Sequence, residues 1–215
     1  MSKEPSGIEV RPLRVKEASR FAALQRIVFS YYNSSKLGQS FCTALYRQYA
    51  LRDDTIGLGV WRGDDLLSIM IACHPVVEAE IQRALMKRAM LAALVRPHLW
   101  LKGGVLRRVI QSLPGRTSTH DDGVPGNVDE APLDKTWIKF ITMGVHPAAR
   151  RMGLATLLTD HMYAEAVRQG YRHAESMVFK TNTAQRRLRE KMGWKPGPEP
   201  PGEGSVRYTI DLPVE

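Results

Sequence analysis

Between Trp137 and Leu158 the chain reads WIKFITMGVHPAARRMGLATLL, and the order of residue types there is an anion-binding recipe. Trp137 to Val145 is an apolar, β-branched run of strand length. His146 to Ala149 interrupts it, with Pro147 removing one backbone donor. Arg150-Arg151-Met152-Gly153 then opens onto a helical pattern in which Leu154, Leu157, Leu158 and Met162 share one side. A strand, a short loop and a helix N-terminus present unpaired N–H groups and the positive end of a macrodipole, which together suit a pyrophosphate. The candidate ligands are the backbone amides of Arg150, Arg151, Met152, Gly153, Leu154, Ala155 and Thr156. Gly153 and Ala155 are small enough for phosphate oxygens to come close, and Arg150 and Arg151 add positive charge. No Gly-Lys-Ser/Thr follows, so this is not a P-loop, and the three spaced glycines of a dinucleotide fingerprint are missing.

The register Val145-x-Pro147-x-x-Arg150-x-x-Gly153-x-Ala155 resembles the acyl-CoA signature of the GNAT acetyltransferase superfamily. A second stretch, Asn182 to Trp194 (NTAQRRLREKMGW), resembles the same family's downstream signature, with Asn182, Leu188, Glu190, Lys191, Gly193 and Trp194 in register. The resemblance is specific from about Trp137 to Trp194 and plausible before about His74. It implies an α/β fold: a mixed, mostly antiparallel central sheet with flanking helices, splayed at the cofactor strand. It also implies acetyl-CoA as co-substrate, no metal, backbone contacts from Met143, Gly144 and Val145 to the pantetheine arm, and an anchoring role for Asn182, which would equally serve as a helix N-cap.

Amine acetylation needs a neutral nucleophile, and an alkyl amine with pKa near ~10 must lose a proton. The residues that the resemblance would supply for proton transfer are replaced: Arg189 stands where the family commonly has Tyr, and Lys139 where histone-modifying members have a strand Glu. Glu175 and His74 are the remaining catalytic candidates, with His146 and Tyr208 behind them; Arg189 could instead stabilise developing thiolate charge.

The elements that must position these groups follow from periodicity. Glu9 to Leu13 reads as a first strand. Lys16 to Tyr32 reads as a helix ended by Asn33-Ser34-Ser35, and Gly38 to Leu51 as a second helix. Thr55 to Trp61 and Leu66 to Cys73 flank the turn Arg62-Gly63-Asp64-Asp65. Val76 to Val95 is helical until Arg96-Pro97, Gly104 to Ser112 is a second short helix, and Pro114 to Asp134 is a Gly/Pro/Asp-rich loop. Beyond the organising stretch come a helix to Gly170, a strand over Arg172 to Lys180, a helix over Asn182 to Met192, a loop over Lys195 to Gly204, and a last strand over Ser205 to Leu212.

The expectation is one domain over 1–215, with 75–135 as a basic helical and loop insertion. From Glu78 to Arg108 two acidic side chains face seven basic ones, and the whole chain carries a formal +9. This balance suits anionic partners. No nucleic-acid motif accompanies it, so nucleic acid is not expected. Within the insertion the basic helix and Trp100 could cap the sheet, shape an acceptor pocket, or make a peripheral membrane or protein contact through 76–112. Cys42 and Cys73 match no metal or disulfide framework and read as buried thiols. The opening MSKEPSGIEV is polar and no apolar run is long enough to span a bilayer, so a cytoplasmic location is expected. The functional expectation is an acetyl-CoA-dependent N-acetyltransferase acting on a primary amine of a small molecule. The basic insertion favours an acidic acceptor such as an amino sugar on a nucleotide or lipid carrier. The alternatives are a catalytically silent acyl-CoA-binding module, or an acyltransferase acting at a membrane surface or on protein. A homodimer is an assembly the family resemblance allows.

Overall fold

The computed structural model describes residues 7–30, 33–94, 134–198 and 204–213. Seven strands form one sheet in the order β1-β2-β3-β4-β5-β7-β6. They are β1 (Ile8–Pro12), β2 (Thr55–Arg62), β3 (Asp65–Cys73), β4 (Trp137–Val145), β5 (His173–Phe179), β6 (Lys195–Pro196) and β7 (Ser205–Asp211). All neighbours pair antiparallel except β4 and β5. This is the mixed, mostly antiparallel sheet with flanking helices that the sequence predicts.

Alternation along the strands divides the core in two. One face buries Ile56, Leu58, Val60, Met70, Ala72, Ile138 and Phe140 against Leu154, Leu157, Leu158 and Met162 of α5 (Leu154–Arg168). The other face buries Trp61, Ile69, Ile71 and Cys73 against α1 (Ala18–Val28) and α3 (Gln39–Ala50). The one-turn helix α2 (Asn33–Lys36) lies between these two. Asn33-Ser34-Ser35 therefore begins a short helix of its own, a correction to its reading as a helix end; α1 already stops at Val28.

Residues 75–94 of the insertion form α4 (Pro75–Leu94), within a residue of its predicted bounds. Val77, Ile81 and Leu85, at i, i+4 and i+8, are buried beside Tyr46, Tyr49 and Cys73. Burying each such side chain contributes about 1.5–3 kcal/mol. The half-exposed Arg52, bonded to Asp54 and to Glu80 at 2.8 Å each, adds about 1 kcal/mol or less per pair. Packing, not surface charge, seats the start of the insertion. The helix expected over Gly104 to Ser112, Trp100 and most of the loop over Pro114 to Asp134 lie outside the described residues.

Two irregularities position the site. In β4, Thr142 pairs with Ile71 and Phe140 with Ala72, so Ile141 is an extra residue in a bulge. On its other edge β4 pairs with β5 only through Trp137, Ile138 and Lys139, opposite His173, Ala174 and Glu175. From Phe140 onward the two strands diverge. Ser176 on β5 reaches across the point of divergence, its hydroxyl donating to the Phe140 carbonyl at 3.3 Å.

Candidate active site

The divergence opens a cleft of about 960 Å³. Its floor is Met143, Gly144 and Val145 of β4, one end is the loop into α5, and one wall is Val28, Phe29 and Lys36. The opposite wall begins at Phe179 and continues into α6 (Thr183–Lys191), through Asn182, Gln185 and Leu188. Gly144 is where the floor meets the first wall. A Cβ there would lie 2.8 Å from the Phe29 ring and 3.1 Å from Val28, so a larger residue would push the end of α1 away.

At the loop end, Pro147–Ala149 forms a 3₁₀ turn and the chain then passes through two left-handed residues, Arg151 (φ 65) and Gly153 (φ 76). The positive φ of Arg151 is strain that a non-glycine residue adopts rarely. Gly153 is the N-cap of α5 and supplies no side chain to cap it. The first intrahelical bond runs from Leu157 N–H to Gly153 C=O, so the amides of Leu154, Ala155 and Thr156 are the orphan donors of the helix start. A Cβ added to Gly153 would meet no protein atom within 4 Å, so the ground in front of these amides is open. Lys36, Arg150 and Arg151 are the charged side chains among the described lining residues, and all three are cationic. Alternating backbone conformation, a helix N-terminus and one sign of charge together attract a polyanion.

Of the sequence candidates for the cofactor, Met143, Gly144, Val145, Arg150, Arg151, Gly153, Leu154, Ala155, Thr156 and Asn182 all line this cleft. Met152 stands outside that lining, exposed, with Arg62 contacting its sulfur at 3.9 Å. Asn182 is the N-cap of α6: its side-chain oxygen accepts from the Gln185 N–H at 3.2 Å, and its amide donates to Gln185 Oε1 at 2.9 Å. Val28, Phe29, Lys36, Gln185 and Leu188 also line the cleft and are not among the cofactor residues that the sequence proposes. Nothing local in the sequence ties residues 28–36 to a loop more than a hundred positions later.

The catalytic candidates are placed elsewhere. Glu175 is buried on β5 and ion-paired with Arg207 on β7 at 2.7 Å. Its register partner across the last parallel rung is Lys139. The ring Nδ1 of His74 accepts from the Val76 N–H at 3.3 Å, at the entry to α4. His146 does the same for the Ala148 N–H, capping the 3₁₀ turn. Tyr208 is fully buried, donates to Glu190 at 2.8 Å and accepts from Arg186 at 3.2 Å; burial is the main cause that raises its phenol above the ordinary value.

Lys139 and Arg189, which replace the proton-transfer groups that the resemblance implies, each have defined partners. Lys139 Nζ is 2.9 Å from Glu78 of α4, and both side chains are almost wholly buried. The insertion thus delivers a carboxylate to the strand position beside the divergence, 61 residues away in sequence. Arg189 is 1% exposed. Its guanidinium carbon lies 4.3 Å from the Trp194 ring centre and 5.4 Å from that of Phe140, and its Nη2 donates to Ser176 Oγ at 3.3 Å. Burial lowers its pKa to about 10, which leaves it a cation at neutral pH. Among the described residues, no group of three or more metal-ligating side chains gathers, and no helix is long and apolar enough to cross a membrane.

The family model described as the acetyltransferase (GNAT) family matches residues 115–194. No curated protein sequence matches the chain. Among solved structures, the ribosomal-protein-S18-alanine N-acetyltransferase of Escherichia coli is similar with a TM-score of 0.56 at 10% identity, over 97% of this chain and 96% of that one. The GNAT domain of S. lividans PAT is similar at 0.58 and 18% identity, over 95% and 90% of the respective chains. The PaiA N-acetyltransferase of Thermoplasma acidophilum, solved with coenzyme A, is similar at 0.56 and 8% identity, over 95% and 98%. At these identities the structures speak for the fold alone. The chain is thus similar to the acetyltransferase (GNAT) family over residues 115–194, and it shares its fold with these solved structures.

Proposed function

We propose that this protein is an acetyl-CoA-dependent N-acetyltransferase whose acceptor is a primary amine on a small molecule, with an anionic amino sugar as the favoured class. The observation that carries the cofactor half is the loop end of the cleft: Arg151 and Gly153 left-handed, three uncapped amides at Leu154 to Thr156, and only cations among the charged lining residues that the structure describes. These residues fit a pyrophosphate. The floor fits an amide-bearing arm, because among the described residues no strand lies opposite the β5-facing edge of β4 beyond Phe140 and its backbone groups can pair with a ligand instead. The acceptor half rests on the basic balance of the insertion and of the chain.

The thioester supplies an acyl carbon activated toward nitrogen. The chain's own groups bind and orient it: Arg150, Arg151 and Lys36 neutralise phosphate charge, and the amides at the start of α5 fix its position. Gly144 lets α1 close one wall. Of the two catalytic candidates we favour Glu175 as the group that takes a proton from the attacking amine: it sits on the last rung before the strands part, where it is paired with Arg207. His74 is engaged at the start of α4. Calorimetry with acetyl-CoA, followed by thiol release across amino sugars, amino acids, polyamines and peptides, tests the proposal. Binding with release for an amino sugar is the expected result. Binding with no release for any acceptor identifies a silent acyl-CoA-binding module, and no binding removes the proposal altogether. Glu175→Gln is expected to lower kcat and abolish the acidic limb of the pH–rate profile; an unchanged profile excludes Glu175 as the base.

A further inference from the structure

One row of side chains crosses the sheet from core to solvent. Cys73 of β3 is in register with Lys139 of β4, Lys139 with Glu175 of β5, Glu175 with Thr209 of β7, and Thr209 with Lys195 of β6. Register partners point to the same face, and here it is the face on which α1, α3 and α4 pack over β2 to β4. The β3–β4 end of the row is buried, with Lys139 paired to Glu78 of α4. The β7–β6 end is open: Thr209 is half-buried and Lys195 exposed. Two residues along from Thr209, on the same face, Arg207 reaches back to Glu175 at 2.7 Å while its side chain stays 32% exposed. Met177 and Phe179 share this face with Glu175, are half-buried, and belong to neither core cluster. Phe179 also lines the cleft, so cleft and open face are continuous.

The sheet keeps these cations apart from those of the loop. Arg150 and Arg151 lead into α5, which packs on the opposite face. Glu175 stands at the head of the gap, on the last rung before β4 and β5 part. Neighbouring strands are about 4.8 Å apart, so Arg207 on β7 lies about 5 Å across from β5, and Lys195 on β6 about 10 Å.

We propose that the open face of β5, β7 and β6 seats an anionic group of the acceptor, with Arg207 and Lys195 as its cations and the Thr209 hydroxyl as a donor between them. This rests on the acetyltransferase reading above and narrows its acceptor to an amine with a phosphate or carboxylate about 5–10 Å from the nitrogen. The 6-phosphate of a 2-amino sugar meets that spacing: about seven bonds from nitrogen to phosphorus, at roughly 1.25 Å of advance each, give at most about 9 Å. A guanidinium carries five N–H donors in a planar fork, so Arg207 can hold Glu175 and an incoming anion together. The order of charges also orients the acceptor. The Glu175 carboxylate draws the amine toward the gap, and the cations draw the anion away from it.

Matched acceptors test the proposal: glucosamine against glucosamine 6-phosphate, and galactosamine against galactosamine 6-phosphate, with saturating acetyl-CoA and thiol release followed at low and high salt. The wild type is expected to favour the phosphorylated member in kcat/KM, through KM, and to lose that preference as salt rises. An exposed ion pair contributes up to about 1 kcal/mol, so Lys195→Gln should lower the ratio of kcat/KM between phosphorylated and free sugar by about fivefold, and Lys195→Glu by more. Arg207→Lys should lower the same ratio while keeping a cation against Glu175. Equal kcat/KM for the two members in the wild type overturns the inference. So does a preference that survives in both Lys195→Glu and Arg207→Lys, which would seat the anion elsewhere, and so does turnover of other amines with none of the four sugars. CoA binding with no thiol release from any acceptor removes the acetyltransferase reading, and the inference with it, so the two failures are told apart.

Discussion

Replacing Gly153 by alanine separates the two reasons for a glycine at the start of α5. The added methyl meets no protein atom within 4 Å, so no packing is lost. The φ of 76° remains, and for a residue with a Cβ the left-handed region costs about 1–2 kcal/mol. For a chain of this size about 1 kcal/mol lowers Tm by about 2–4 °C, so Gly153→Ala should melt about 2–8 °C below the wild type. Affinity should fall further than stability. The methyl enters the open ground at the helix start, and each hydrogen bond lost to a charged oxygen costs about 1.5–3 kcal/mol, or about 10- to 150-fold in Kd for CoA. Gly144→Ala is the contrast. There the methyl strikes Phe29 and Val28, and overpacking of about 1–3 kcal/mol appears mainly as lost stability. Scanning calorimetry and titration calorimetry on the two variants are the assays. If Gly153→Ala keeps both Tm and Kd, the left-handed N-cap is not needed and the cradle argument fails.

Lys139→Met strands the Glu78 carboxylate in the core and should cost about 3–5 kcal/mol in urea unfolding. Adding Glu78→Leu should recover most of it, and failure to recover would mean that Lys139 is held by something other than Glu78. Asn182→Ala removes the α6 cap and should cost about 1 kcal/mol, seen as a Tm lower by about 2–4 °C. Burial raises the phenols of Tyr46, Tyr49, Tyr163 and Tyr208 above their ordinary value of 10.0. The unfolded chain therefore releases these protons first. The stability they support is complete below about pH 10 and is lost as pH rises toward their folded values. Arg189, lowered by burial, pulls the other way over the same range, so Arg189→Met should steepen the alkaline loss in chemical denaturation.

What the chain discloses before folding is uneven, and the reasons are physical. The hairpin over residues 55–73 shows itself because alternation and a Gly-containing turn are local signals, and its strands run Thr55–Arg62 and Asp65–Cys73. The cofactor strand and the helix after Gly153 show themselves for the same reason. The two-residue β6 lies in a stretch read as loop, since Lys195 and Pro196 are strand only because Thr209 and Tyr208 lie opposite. Lys139 looked like a missing base, when its meaning depends on Glu78 in a different element. Arg189 reads in the sequence as a cation standing where the family commonly has Tyr. Its burial follows from Phe140 and Trp194 meeting over it, which no spacing within 183–191 announces.

The short β4–β5 pairing has a mechanical consequence. Three rungs are all the main-chain ladder that joins the four-stranded half of the sheet to the three-stranded half. The remaining seam is bolted by side chains: Phe140 from one half against Trp194 from the other, the Trp194 indole bonded to Tyr163, and Arg189 over both rings. Such a joint is stiff in compression and weak in shear. A ligand lying along the gap would act as a splint across the two halves, and protection of the β4 amides from solvent exchange would then report occupancy from the inside of the sheet outward.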